Sequence, residues 1–339
     1  FGCQKSRLSV LWRSACVALL LVLYCSFASI ANAAKAPADV RLLIDVSGSM
    51  KQNDPKNLRR PALELLVQVV PEKSHAGVWT FGQAVNLLVP HKEVDAKWRK
   101  DAVKHVGEIG SVALYTNIGE ALEKAAYDFD KRDPAAKNSK MRSSVILLTD
   151  GMVDISQDPK QDTAERERIL KQILPRYKEA GVAIHTISLS KNADTALLEQ
   201  LAIGTNGIAA VTETADALMK VFLRVFDEAA PPDQVPLKDN SFLIDSSVDE
   251  FTALVFRKKA AAPTYLMGPD DKRIDEKSQG GNVHWYATDD YDLITVKNPF
   301  EGEWKLFADA DPDTRVTVVS DLSLDVDRLP KNLFLGSLP

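Results

Sequence analysis

A mostly apolar run, Val40–Ile44, stops at Asp45-Val46-Ser47-Gly48-Ser49, and this junction restricts the fold more than any other stretch of the chain. Such a run reads as a buried strand of an open α/β sheet. Sheets of that kind bind ligands beyond the carboxyl ends of their strands, where the following loop supplies the coordinating groups. Here the loop places three short oxygen-bearing side chains, Asp45, Ser47 and Ser49, on alternate positions. One carboxylate and two hydroxyls, with no Cys or His nearby, are hard ligands that suit Mg²⁺, Mn²⁺ or Ca²⁺ and not zinc or copper. Mg²⁺ is the first expectation, since it takes oxygens at about 2.0–2.1 Å and usually keeps positions for waters or a ligand. Alone, the same residues would serve equally well as a helix cap.

Two further segments favour the metal. Ser143–Leu148 is a second apolar run and ends in Thr149-Asp150-Gly151, so another carboxylate closes a buried strand. Between the two, Tyr115-Thr116-Asn117-Ile118-Gly119-Glu120-Ala121-Leu122 sets a hydroxyl just ahead of a helical pattern. Parallel strands would bring two carboxylates and three hydroxyls from three loops to one edge.

The D-x-S-G-S, T-N-I-G-E-A-L and T-D-G segments together resemble the von Willebrand factor type A domain and its metal-ion-dependent adhesion site, over roughly Asp39 to Glu228. The resemblance implies a Rossmann-like, doubly wound sheet with Asp45, Ser47, Ser49, Thr116 and Asp150 around the ion. It further implies that the two Ser with Thr116 or an Asp bind directly and the rest through water. Two carboxylates only just balance a divalent cation, so the ion stays electrophilic towards one more anionic oxygen. An Asp or Glu of a partner protein would complete the shell. In the related domains the last helix shifts when that ligand arrives; here the corresponding segment is Ala215–Glu228, with Leu218, Val221, Phe222 and Val225 on one face, a pattern that packing alone also explains.

The open position would also allow a metal-activated water, so a metal-dependent hydrolase is the competing class, and a structural envelope component with a vestigial site is a third. No G-x-S-x-G elbow, H-E-x-x-H, Walker loop or G-x-G-x-x-G is present, and His75, His91, His105, His185 and His284 lack ligand spacing. The expectation is therefore a binding module and not an enzyme.

Lys5, Arg7 and Arg13 precede an apolar stretch, Ala15–Ile30, followed by Ala31-Asn32-Ala33, the small-x-small form of a cleavable signal peptide over residues 1–33. This places the mature protein in the periplasm or cell envelope. Uncleaved, the leader would anchor the chain to the membrane, as would sequence beyond residue 339. Cys3, Cys16 and Cys25 all lie in the leader, so the remainder has no disulfide framework. The leader holds three basic residues and no acid, which leaves 39 basic against 47 acidic side chains and argues against nucleic acid as a partner.

Strands and helices alternate from 39 to 229, which predicts a mostly parallel sheet with right-handed crossovers. Helices are expected over Asn57–Val70, Ala96–His105, Ile118–Phe129, Thr163–Glu179, Thr195–Ala202 and Ala215–Glu228. The prolines of 230–238 mark a linker. Over 239–323 short alternating runs, among them Glu250–Arg257, Tyr291–Val296 and Gly302–Ala308, predict an all-β sandwich, similar to the immunoglobulin-like modules that follow type A domains. Asp309, Asp311 and Asp313 read as a solvated turn, because Thr314 and Ser320 stand where a calcium loop needs Gly and Glu. Residues 324–339 are a tail or the start of a further module.

Overall fold

The computed structural model describes residues 37–129, 141–190, 193–212, 215–258, 262–309 and 311–320. The leader and the 324–339 segment lie outside the described residues. Strand β1 (Ala38–Asp45) is buried at every position. Its alternate residues serve two cores. Val40, Leu42 and Ile44 join one apolar cluster and Leu43 joins another, as a strand covered by helices on both faces must. Around it stand β2 (His75–Phe81), β3 (Val85–Glu93), β4 (Arg142–Thr149), β5 (Ala183–Ser188) and β6 (Ala209–Val211) in the order β3-β2-β1-β4-β5-β6. All neighbours pair parallel except β3, which returns antiparallel from β2 at the edge.

Helices α1 (Met50–Asn53), α2 (Arg59–Val69), α3 (Ala96–Val106) and α4 (Ile118–Ala125) follow the first strands. The helix expected to reach Phe129 ends at Ala125, because side chains take the carbonyls of its last turn: Tyr177 donates to Leu122 O at 2.8 Å and Arg176 to Ala126 O at 3.1 Å. The helix expected from Thr163 begins earlier, as α5 (Pro159–Arg168), with Asp158 accepting from Lys160 N at 3.0 Å. It passes through a π turn (Ile169–Ile173) into α6 (Leu174–Glu179). Pro175 explains the turn: it has no N–H for the carbonyl four residues back. Helices α7 (Thr195–Gly204) and α8 (Ala215–Ala229) complete this α/β layer.

The remainder is all β. Strands β8 (Ser241–Ile244), β10 (Tyr265–Met267), β11 (Arg273–Ile274) and β14 (Gly302–Phe307) form a four-stranded sheet. Strands β7 (Asp233–Val235), β9 (Val248–Phe256), β12 (Val283–Ala287), β13 (Tyr291–Lys297) and β15 (Arg315–Ser320) form a five-stranded one. Phe242, Leu266 and Trp304 of the first share a core with Phe251, Ile294 and Val316 of the second, so the sheets pack face to face. The proline-bounded segment read as a linker holds β7, whose Val235 pairs with Val316.

The outer face of the larger sheet is covered too. Leu254, Phe256, Tyr291 and Leu293 pack against Leu65 of α2 and Leu223 of α8. Glu250–Arg257, expected as an alternating strand, is accordingly apolar on both faces from Phe251 to Phe256, with Thr252 the exception. Helix α8 thus works on two sides: Leu218, Phe222 and Val225 face the α/β core and Leu223 the β domain. In the turn expected to be solvated, Asp313 is half exposed, and Asp311 and Asp313 also hold Lys220 of α8 at 2.7 and 2.6 Å.

Candidate metal centre

Parallel pairing of β1 with β4 brings Asp45 and the Thr149-Asp150-Gly151 turn to adjacent strand ends. Asp45 is fully buried. Its Oδ1 accepts from Ser47 N at 2.8 Å and its Oδ2 from Thr149 Oγ1 at 2.5 Å. Ser47 Oγ lies 3.1 Å from Ser49 Oγ, and Ser49 Oγ donates to Asp150 Oδ1 at 2.8 Å. Thr116 reaches the same place from the third loop: its N–H donates to Asp154 O at 2.6 Å, and its Oγ1 would lie 3.5 Å from a Cβ on Gly151, with Ser49 Oγ at 3.9 Å. The structure thus gathers Asp45, Ser47, Ser49, Thr116 and Asp150 around one cluster of oxygens. Two of the histidines are engaged elsewhere, His91 with Asp39 and Tyr127 and His185 with Ile208 N.

Burial works against the charge of Asp45. It pushes the carboxyl up to about 6, with Asp150 adding repulsion and the hydrogen bonds from Ser47 and Thr149 opposing the rise. The donor set fits a hard divalent ion. Adjacent oxygens of an octahedral Mg²⁺ stand about 2.9 Å apart, close to the spacings of Ser47, Ser49 and Asp150. Among the described residues no group of three or more His, Cys, Asp or Glu comes together as a metal site, so an ion here needs the hydroxyls.

The raised Asp45 value has a measurable consequence in the metal-free protein. The folded state holds the proton more tightly than the unfolded chain does, so this group's contribution to stability falls as pH rises from about 4 to above 6. The loss is on the order of 3 kcal/mol. Urea melts in EDTA should show it as a gap between wild type and Asp45→Asn that widens across that window; parallel profiles would refute it.

Several supporting residues carry no local sequence signal. Asn53 Nδ2 donates to Asp150 Oδ2 at 3.0 Å. Arg59, fully buried, pairs with Asp54 at 2.7 Å, reaches the backbone carbonyl of Asp45, and donates to Ser111 Oγ at 2.6 Å. It therefore ties the first loop to the third from below. Thr149 belongs to the T-D-G segment but is not among the expected site residues, yet its hydroxyl orients Asp45. Outer partners of this kind are worth ten- to a hundredfold in metal affinity, and Thr149→Val is expected to weaken magnesium binding by about tenfold in calorimetric titration.

The von Willebrand factor type A domain model matches residues 39–224. Among solved structures, a von Willebrand factor type A protein from Catenulispora acidiphila is similar at 14% identity and TM-score 0.46, over 83% of this chain and 64% of that one. Proximal thread matrix protein 1 from the mussel byssus, solved with a zinc-occupied MIDAS motif, is similar at 22% identity and TM-score 0.44, over 57% and 48%. BatB from Bacteroides thetaiotaomicron is similar at 14% identity and TM-score 0.42, over 57% and 98%. This chain thus spans less than two thirds of the first two proteins. No curated protein sequence matches it.

Proposed function

Since the chain belongs to the von Willebrand factor type A domain family, we propose that its oxygen cluster is a metal-ion-dependent adhesion site that binds a partner protein through a divalent cation. Asp45, Ser47, Ser49, Thr116 and Asp150 would hold the ion, Mg²⁺ by preference and Mn²⁺ or Ca²⁺ as substitutes. The observation that carries this reading is the contiguous chain of oxygens from Ser47 through Ser49 to Asp150, with Asp45 buried beneath it and Thr116 beside it.

The chain's own residues divide the work. The hydroxyls add ligands without adding charge, so the bound ion keeps its attraction for an outside carboxylate. Thr149 and the Ser47 amide fix the orientation of Asp45, and Asn53 that of Asp150. The proposed activity is capture and not turnover. The β domain, with its two packed antiparallel sheets, would serve as an immunoglobulin-like scaffold. Export to the periplasm or cell envelope rests on the leader. Among the described residues no helix is long and apolar enough to cross a membrane.

The direct test is calorimetric titration of the full chain with Mg²⁺, followed by capture from envelope extract in Mg²⁺ and in EDTA. The reading expects one saturable site, and a captured protein that the chelator releases and that Asp45→Asn does not retain. Absence of cation uptake, or equal capture in both arms, would overturn it.

A further inference from the structure

Three large apolar side chains stand in water around the mouth of the oxygen cluster: Val112 is 83% exposed, Leu114 67% and Met152 59%. Their positions tie them to the site. Val112 and Leu114 flank Ala113, whose N–H donates to Val46 O at 3.0 Å and which bridges Ser47. Met152 follows Gly151, which lies against Thr116 and Ser49. The loop holds this arrangement through Tyr115, whose φ of 61° is in the left-handed region that a bulky side chain rarely adopts. Across that turn the chain passes from exposed Leu114 to buried Thr116. A loop that needed only to deliver a hydroxyl would not require aliphatic neighbours in solvent, and such exposed groups gathered at one place mark interaction surfaces.

Charge narrows the occupant. The hydrogen bonds to the Asp45 and Asp150 carboxylates come from Ser47, Thr149, Ser49 and Asn53, all neutral groups, while Arg59 touches Asp45 at its backbone carbonyl and not at its carboxylate. An acidic segment is therefore repelled from the bare cluster and attracted once a cation sits there. The same segment must place something against the three aliphatic groups.

We propose that Val112, Leu114 and Met152 form an apolar rim that reads the residues next to the partner's carboxylate. The occupant is then an extended segment of a partner protein in which an Asp or Glu is flanked by side chains of Leu or Ile size, not an acidic residue on a polar surface. The inference rests on the cation-binding reading above and adds selectivity to it. Partial burial of two flanking aliphatic groups predicts a preference of about tenfold or more.

The test uses two labelled synthetic peptides, Gly-Leu-Asp-Leu-Gly and Gly-Ser-Asp-Ser-Gly, titrated with the full chain in Mg²⁺ and in EDTA and followed by fluorescence anisotropy. Binding of the leucine peptide in Mg²⁺ alone, about tenfold or more tighter than the serine peptide, is the expected result. Joint replacement Val112→Ser, Leu114→Ser and Met152→Ser should level the two peptides while calorimetric magnesium uptake stays at the wild-type value. Equal, magnesium-dependent binding of both peptides would overturn the rim and leave the cation reading standing. Loss of magnesium uptake in wild type would overturn both. Leucine-peptide binding that survives EDTA would reduce the rim to non-specific apolar contact, and self-association abolished by the triple variant would assign the surface to a second copy of the chain; either result overturns the proposal.

Discussion

Asp45→Asn is expected to erase magnesium binding, and with it the magnesium-dependent part of the protein's stability, without unfolding the metal-free chain. The amide keeps the volume of the carboxyl and an oxygen for Ser47 N–H, and its NH₂ group meets the Thr149 hydroxyl, which is able to accept. What it removes is the charge. In the absence of metal that charge is a liability, because burial and the neighbouring Asp150 both disfavour it. The variant without metal should therefore be at least as stable as wild type near neutral pH. Metal reverses the comparison: at a hundred times its dissociation constant a ligand specific to the folded state adds about 2.7 kcal/mol, several degrees in Tm for a domain of this size. Wild type should show that gain in scanning calorimetry with Mg²⁺, and the variant should show none. An equal gain in both proteins would mean that the cation binds elsewhere.

How much of this could be read from the letters depends on how local each signal is. The strand before Asp45 and the one before Asp150 are legible because an apolar run that meets short oxygen-bearing residues changes character within a few positions. Thr116 is legible because a hydroxyl precedes a helical pattern. Long-range support is not. Arg59 looks like an exposed base at a helix start, yet Asp54, the Asp45 carbonyl and Ser111, 52 positions away, hold it fully buried. Strand β7 hides between prolines because its pairing with β15 is made some eighty residues later. The alternation expected over Glu250–Arg257 fails for a similar reason: Leu254 and Phe256 point away from the sandwich core, towards α2 and α8.

Arg41 is the costliest of these hidden residues, and Arg41→Met is expected to destabilise the protein by about 3–5 kcal/mol, a large part of the ~5–15 kcal/mol that holds a typical domain folded. Arg41 has no exposed side-chain surface. It donates to Asp39 Oδ2 at 2.9 Å, to Asp128 Oδ1 at 2.7 Å and Oδ2 at 2.9 Å, and to the Ala125 carbonyl. The rings of Tyr127 and Phe129 lie 5.4 and 5.1 Å from its guanidinium carbon. Methionine would fill the same space and leave the acids behind. Asp128, with 27% of its side chain exposed, has water to turn to, whereas Asp39, with 5%, has not. The damage should therefore concentrate on Asp39, and adding Asp39→Asn to Arg41→Met should recover most of the loss, giving a coupling well above the scatter of independent sites. Acid gives a second readout. Burial tends to raise the Asp39 carboxyl, but the hydrogen bond with His91 and the Arg41 charge hold it well below its usual range. Its contribution is thus present above about pH 3.8 and lost as pH falls through the folded-state value. Without Arg41 that acid-side loss should shrink. Magnesium uptake should not change, because four residue steps along the strand, about 13 Å, separate Arg41 from Asp45. A cost under about 1 kcal/mol in urea melts, the level of an exposed ion pair, or a double variant no better than the single one, would show that this buried pair does not hold the foot of the central strand.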